Sequence, residues 1–154
     1  MVERLSSIIR PGATVAILGL AYKPFTQVVE ESQGLYLANA LSEAGMRVIA
    51  YDPLAGDQAR RELRDDVSLA SSLAECLAEA EMILITTPDP AFLELRASDF
   101  NRKGTRVTVV DFWRSLGKEL AKHPNVDYVP IGRGIMDAEN AARLAEMWGD
   151  IRAQ

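Results

Sequence analysis

The chain has 154 residues, 48% hydrophobic and 25% charged, which is the make-up of an ordinary soluble globular protein long enough for one well-filled core. Its net charge of −5 argues against a nucleic-acid partner, which calls for a basic face, and no apolar run approaches the ~20 residues that cross a bilayer. The single cysteine, Cys76, excludes an intrachain disulfide and points to the cytoplasm, and no His/Cys cluster has metal spacing.

Val2, Leu5, Ile8 and Ile9 fall on one helical face over residues 2–10, without the apolar centre of a signal peptide, and Pro11-Gly12 ends this lead-in helix. Thr14 to Leu18 is unbroken in apolar character and reads as a strand buried on both faces, as in a parallel sheet. It stops at Gly19, and a loop follows that carries Tyr22, Lys23, Pro24 and Thr26. Gln33 to Ala44 predicts a helix with Leu35, Leu37, Ala38 and Leu41 available to the core, stopped by Gly45. Arg47 to Tyr51 is a second strand closed by Asp52-Pro53, which completes a βαβ unit.

Ala55 to Leu63 reads as a short exposed helix and Val67 as a brief extended segment. Ser71 or Ser72 opens a helix through Ala80 that turns Leu73, Cys76 and Leu77 inward. Met82 to Thr86 is a third strand, ended by the prolines of Thr87-Pro88-Asp89-Pro90, and Ala91 to Leu95 is a short helix. Arg102, Lys103 and Arg106 flank a turn and read as solvated surface. Arg106 to Val110 is a fourth strand and Val126 to Val129 a fifth, stopped by Pro130. Asp137 caps a last helix over 137–151, with Ala141, Leu144, Ala145 and Trp148 at helical spacing.

Strands alternating with helices predict a single three-layer, Rossmann-like α/β domain over residues 1–154, with a mostly parallel sheet of about five strands. Ligands of such sheets gather outside the carboxyl ends of the strands. Those ends are Gly19 to Lys23, Tyr51-Asp52-Pro53, Thr86 to Pro90 and Asp111 to Arg114. Lys23 is either a point charge for a phosphate or a solvated surface lysine, and Tyr22 either stacks on a planar base or caps the core. Arg114 is an anion clamp or an arginine laid over Trp113, and Asp52 a turn former before Pro53 or a ribose contact. Gly132-Arg133-Gly134 is a further basic loop. A dinucleotide fingerprint is missing: Gly19-Leu20-Ala21 replaces G-x-G-x-x-G, and Asp52 lies well past the ~20 positions that pattern allows. Cys76 and His123 read as a buried small hydrophobe and a surface side chain, and no Ser/His/Asp set or carboxylate pair can be assembled.

Val15 to Thr26 followed by Glu31-Ser32 closely resembles the C-terminal domain of UDP-glucose/GDP-mannose dehydrogenases. The likeness continues through Tyr51-Asp52-Pro53, Ile85-Thr86-Thr87 with Phe92 and Leu95, Val109-Val110-Asp111 and Ile131-Gly132-Arg133. Enzymes of that family oxidise the C6 alcohol of a nucleotide sugar in two NAD-dependent hydride transfers. Their N-terminal domain binds NAD and supplies a catalytic cysteine, and their C-terminal domain holds the nucleotide-diphosphate part of the substrate. The resemblance therefore implies a nucleotide-sugar-binding domain, for a UDP-sugar above all, with Tyr22 and Lys23 as its substrate-binding pair. It implies no catalysis by this chain alone and no cofactor of its own; NAD would come only with a separate NAD-binding domain of the same or another chain. A homodimer is a further option, whereas nucleic acid and membrane are not expected partners. Two positions depart from the family pattern. Glu30 stands where an arginine reaches NAD, preceded by Gln27 and Val28 in place of acidic residues, and an inverted charge there would repel a pyrophosphate. Trp113 stands where a substrate-binding arginine belongs, leaving Arg114, one place later, as its candidate replacement. These departures motivate the alternative: a non-catalytic regulatory or assembly module that kept the fold and lost the ligand.

Overall fold

In the computed structural model, residues 2–100, 106–116 and 120–132 are described. The helix expected over 137–151, the loop from Arg133 on, and the cations Arg102 and Lys103 lie outside them.

Thr14–Leu18 forms β1, every residue of it buried, and it is the centre of the molecule. Arg47–Tyr51 (β2), Ser68–Leu69 (β3), Met82–Ile85 (β4), Val107–Asp111 (β5) and Val126–Pro130 (β6) complete a six-stranded sheet in the order β3-β2-β1-β4-β5-β6. Every neighbouring pair is parallel, with β1 Val15 opposite β2 Val48 on one side and β4 Met82 on the other. The order reverses between β1 and β4, so the connections wind to opposite faces and a crevice is left at that point.

The sixth strand corrects the expected count. β3 is two residues pairing with Ile49 and Ala50, too short to leave a period in the sequence. Val67, read as the extended residue, lies just before it and is buried in the core.

Alternation along β1 divides the core into two layers. Val15 and Ile17 pack under Val2–Ile8 (α1) and Gln33–Glu43 (α2), against Leu5, Leu37, Ala38 and Leu41. Ala16 and Leu18 face Leu73–Leu77 (α4) and Pro90–Leu93 (α5), against Cys76, Leu77 and Phe92. Between β2 and β3 lies one turn, Gly56–Ala59 (α3), shorter than the helix expected over 55–63. In α1, Leu5 is buried but Ile8 is 51% exposed, so the lead-in helix commits less of its apolar face than its spacing predicts.

Local chemistry explains the helix starts. The Ser32 side chain caps α2 by accepting from Leu35 N at 3.2 Å, and Gly45, at φ +84°, turns the chain out after it. Ser72 caps α4 through Glu75 N, while the Glu75 carboxylate accepts from the Ser71 amide and hydroxyl at 2.7 and 2.6 Å. Those Ser71 bonds hold the Glu75 carboxyl below its ordinary value. α5 starts on Asp89, with Pro90 at its first turn.

Cys76 is fully buried and its thiol donates to the Ile49 carbonyl at 3.6 Å. Burial, with the Glu75 charge adding to it, pushes the thiol up to about 12. Native protein is therefore expected to leave Cys76 unlabelled by iodoacetamide at pH 8, and labelling to follow the unfolding transition in urea. Rapid alkylation without denaturant would contradict this placement.

Candidate functional site

β1 ends at Gly19, whose φ of +106° turns the chain across the sheet edge, and whose N–H donates to the Tyr51 carbonyl at 2.9 Å. A Cβ here would sit 2.5 Å from Thr87 Oγ1 and 2.9 Å from Thr87 N, so this position needs glycine both for angle and for space. Asp52, at the end of β2, then ties two loops together. Its Oδ2 accepts from Leu20 N at 2.8 Å and Ala21 N at 3.0 Å, and its Oδ1 from Leu54 N at 2.9 Å and Ala55 N at 2.8 Å. Four amides occupy the lone pairs of one carboxylate. The turn reading of Asp52 holds, and no acceptor is left for a ribose hydroxyl.

The same stitching runs on across the edge. Thr86, at the end of β4, places its hydroxyl 2.9 and 2.7 Å from the Leu18 and Gly19 carbonyls, and the Thr87 hydroxyl donates to Ala21 O at 3.2 Å. Trp113 Nε1 donates to the Thr86 carbonyl at 2.8 Å and so ties the β5 exit to the β4 exit. Asp111, wholly buried, accepts from Trp113 N at 2.9 Å, Leu116 N at 3.0 Å and the Tyr128 hydroxyl at 2.9 Å, with the Ser115 hydroxyl at 3.3 Å. The loops that could touch a ligand are thus fixed from β2 to β6 by side chains of the strand ends.

What this frame displays is the segment between Gly19 and α2. Tyr22 N donates to Val28 O at 2.8 Å and closes the loop on itself. Tyr22 is 60% exposed and Lys23 is exposed beside it. Phe25 and Glu31 adopt positive φ, 62° and 58°, at the turns of this loop. The chain then enters α2 so close to β1 that a Cβ on Gly34 would collide with the Gly19 carbonyl oxygen. Between α2 and the β4 and β5 exits lies a cavity of about 230 Å³ lined by Gln33, Thr86, Phe112 and Trp113, at the crevice where the strand order reverses.

Arg114 stands apart from the other two residues predicted for the site. It occupies the β5 exit at φ +56°, and its guanidinium reaches toward Gly132 after β6, 4.0 Å from where a Cβ there would lie. With β4 between β1 and β5, the Tyr22-Lys23 and Arg114 loops leave the sheet about 10 Å apart. Tyr22 and Lys23 are brought together; Arg114 is placed at the far side of the same edge. The sequence reading placed Thr86 and Asp111 at ligand-facing strand ends without giving either a role, and it passed over Gly34. A glycine two places after a serine cap is a signal for close helix approach, and it could have drawn attention to Gly34. His123 takes no part: its Nδ1 accepts from Asn125 N at 3.3 Å within its own turn. Among the described residues, no group of three or more His, Cys, Asp or Glu side chains could hold a metal ion, and no helix is long and apolar enough to cross a membrane.

The UDP-binding-domain model of the UDP-glucose/GDP-mannose dehydrogenase family matches residues 16–118, two thirds of the chain and every stretch of the edge from β1 to the β5 exit. The chain belongs to this family. Among its relatives, UDP-glucose 6-dehydrogenase of Rhizobium meliloti is 38% identical over 126 residues, 79% of this chain and 28% of that protein. That of Haloferax volcanii is 35% identical over 112 residues, 70% of this chain and 26% of that protein. The UDP-glucose dehydrogenase structure from Pyrobaculum islandicum superposes with a TM-score of 0.66 at 30% identity, covering 85% of this chain and 28% of its own. The chain thus spans roughly a quarter of the length of the relatives it matches.

Proposed function

We propose that this chain binds the nucleoside-diphosphate part of a nucleotide sugar, a UDP-sugar foremost, at the carboxyl edge of its sheet, and works with a separate NAD-binding domain of the same or another chain. The observation that carries the reading is the loop from Gly19 to Lys23. Asp52 and Thr87 fix its backbone, and it holds Tyr22 and Lys23 out of the core beside the crevice of the strand order. A lysine there meets a diphosphate as a point charge, the tyrosine offers a ring to the nucleoside, and Arg114 serves from the far side of the edge. Neither NAD nor a catalytic nucleophile is assigned to this chain alone, and its free buried thiol suits the cytoplasm.

Calorimetry with UDP and UDP-glucose is expected to show binding. Lys23→Ala should weaken it tenfold to a hundredfold, from the loss of about 1.5–3 kcal/mol in a charge-assisted contact. Arg114→Ala should weaken it less. Absence of heat with any UDP or GDP sugar at millimolar concentration would remove this reading.

A second reading, a regulatory or assembly module without ligand, draws on Glu30 in place of the family arginine and on the exposed Phe25, Val28 and Leu54, which border one groove beside that loop. Under it the sugars give no heat and light scattering shows a homodimer or larger assembly; a monomer at high concentration counts against it.

A further inference from the structure

We propose that Trp113 is the platform on which the pyrimidine base of the nucleotide stacks, and that it thereby sets base preference at the site. This inference rests on the UDP reading above and names the residue that would read the base.

Trp113 is held at two points. Its backbone N–H donates to Asp111 Oδ1 at 2.9 Å, and its indole N–H donates to the Thr86 carbonyl at 2.8 Å. A ring tied in this way loses little further side-chain freedom when a ligand arrives, so its contact area converts to affinity with little ordering cost. Yet the residue is 53% exposed, when a large aromatic residue is ordinarily mostly covered. Its polar handle is satisfied by the protein and its face is not.

The cavity it borders has the size and the chemistry of a single heterocycle. At about 230 Å³ it falls below the roughly 300 Å³ at which pockets for drug-sized ligands begin, too small for a dinucleotide. Two aromatic residues, Trp113 and Phe112, line it with Thr86 and Gln33. The Thr86 hydroxyl is engaged by the Leu18 and Gly19 carbonyls, which leaves Gln33, at the first turn of α2, as the polar group for a ligand edge. A glutamine amide carries one acceptor and a donor pair, the complement of the alternating carbonyl and N–H groups of a uracil imide. The position of Trp113 fits the same division of labour. An arginine there would grip an anion in bidentate fashion, whereas an indole has no charge to offer and a π-face that suits a base. The diphosphate is left to Lys23 on the β1 loop.

The test is calorimetry on the full chain with UDP and with methyl diphosphate, which lacks sugar and base. Trp113→Ala is expected to weaken UDP about tenfold while leaving methyl diphosphate unchanged, and Trp113→Phe to recover most of the loss. Trp113→Arg should bind methyl diphosphate more tightly and lose the advantage of UDP over it. In a Trp148→Phe background, where Trp113 is the sole indole, saturating UDP should quench the emission and methyl diphosphate should not. Equal losses for both ligands in Trp113→Ala, or an unchanged UDP affinity, would overturn the proposal, because the indole would then only hold the loop or do nothing. Should the alanine variant lose its circular dichroism signal, the phenylalanine variant and the quenching decide; no quenching at saturating UDP overturns it. A parent chain that binds neither ligand removes the UDP reading and this one with it, whereas a parent that binds UDP without quenching removes this one alone.

Discussion

Gly34→Ala is expected to destabilise the chain by about 3 kcal/mol or more, the upper range of overpacking costs, and to lower its urea midpoint accordingly. The added methyl would strike the Gly19 carbonyl oxygen and lie 2.8 Å from the Thr86 hydroxyl. Neither neighbour can move aside. Gly19 follows a strand that is buried along its whole length and paired on both sides, and the Thr86 hydroxyl is bound to the same carbonyl. Relief must come from lifting the start of α2, which strips Leu37, Ala38 and Leu41 from the core layer they share with Val15 and Ile17. Replacing a helical glycine by alanine ordinarily gains up to about 1 kcal/mol, so the clash and the propensity oppose each other and the clash wins. Gly56→Ala supplies the control. It also lies in a first helical turn, but a Cβ there meets nothing within 4 Å, so that variant should be neutral or slightly stabilised. Identical midpoints for Gly34→Ala and the parent would refute the close approach.

The second large effect is expected at Asp111. Alanine there removes a buried carboxylate, leaves the amides of Trp113 and Leu116 without their acceptor and takes one acceptor from the half-buried hydroxyls of Ser115 and Tyr128. An unsatisfied buried donor costs about 1–3 kcal/mol, and several share this site, so a loss of about 4 kcal/mol is expected. Asparagine keeps one acceptor oxygen but turns an NH2 group toward donors, so Asp111→Asn should fall between parent and alanine. Unfolding in urea monitored by circular dichroism gives the order, and an asparagine variant as stable as the parent would show that the carboxylate is dispensable. The alanine variant should also free the indole of Trp113, because the loop that seats it starts from Asp111.

The two residues behind these effects show where sequence reading succeeds and where it stops. β1 was legible because a buried parallel strand needs an unbroken apolar run; the Ser32 cap, whose partner Leu35 N lies three residues away, is a local event that the reading of a helix from Gln33 did not name. Asp52 was half legible. Its turn, made with Leu54 and Ala55, is a local event, but its hold on Leu20 and Ala21 depends on β2 lying beside β1, and no spacing along the chain encodes that. Gly34 was open to suspicion from its place in a first helical turn, but its partner was not legible, since the oxygen it must clear is fifteen residues back in sequence and adjacent only in the fold. Lys23 was legible as a displayed residue, because a loop after a buried strand has to leave the core, whereas Tyr22 stood between display and a cap on the core until the fold placed it 60% exposed. The direction taken by Arg114 was not, for it follows from a positive φ that no neighbouring residue forecasts. β3 escaped because two residues carry no period.

The stitching at the sheet edge bears on how freely such a site can drift. Asp52, Thr86, Thr87 and the Trp113 indole all fasten onto main-chain amides or carbonyls, which every residue other than proline supplies in full. The anchored positions Leu20, Ala21, Leu54 and Ala55 can therefore change identity without unfastening the loops, provided the newcomer fits. Shape is thus inherited through a few anchoring side chains and display through many others, and the two vary independently. A glutamate at position 30 or an indole at position 113 can then alter what the edge recognises while the edge itself stays where it was.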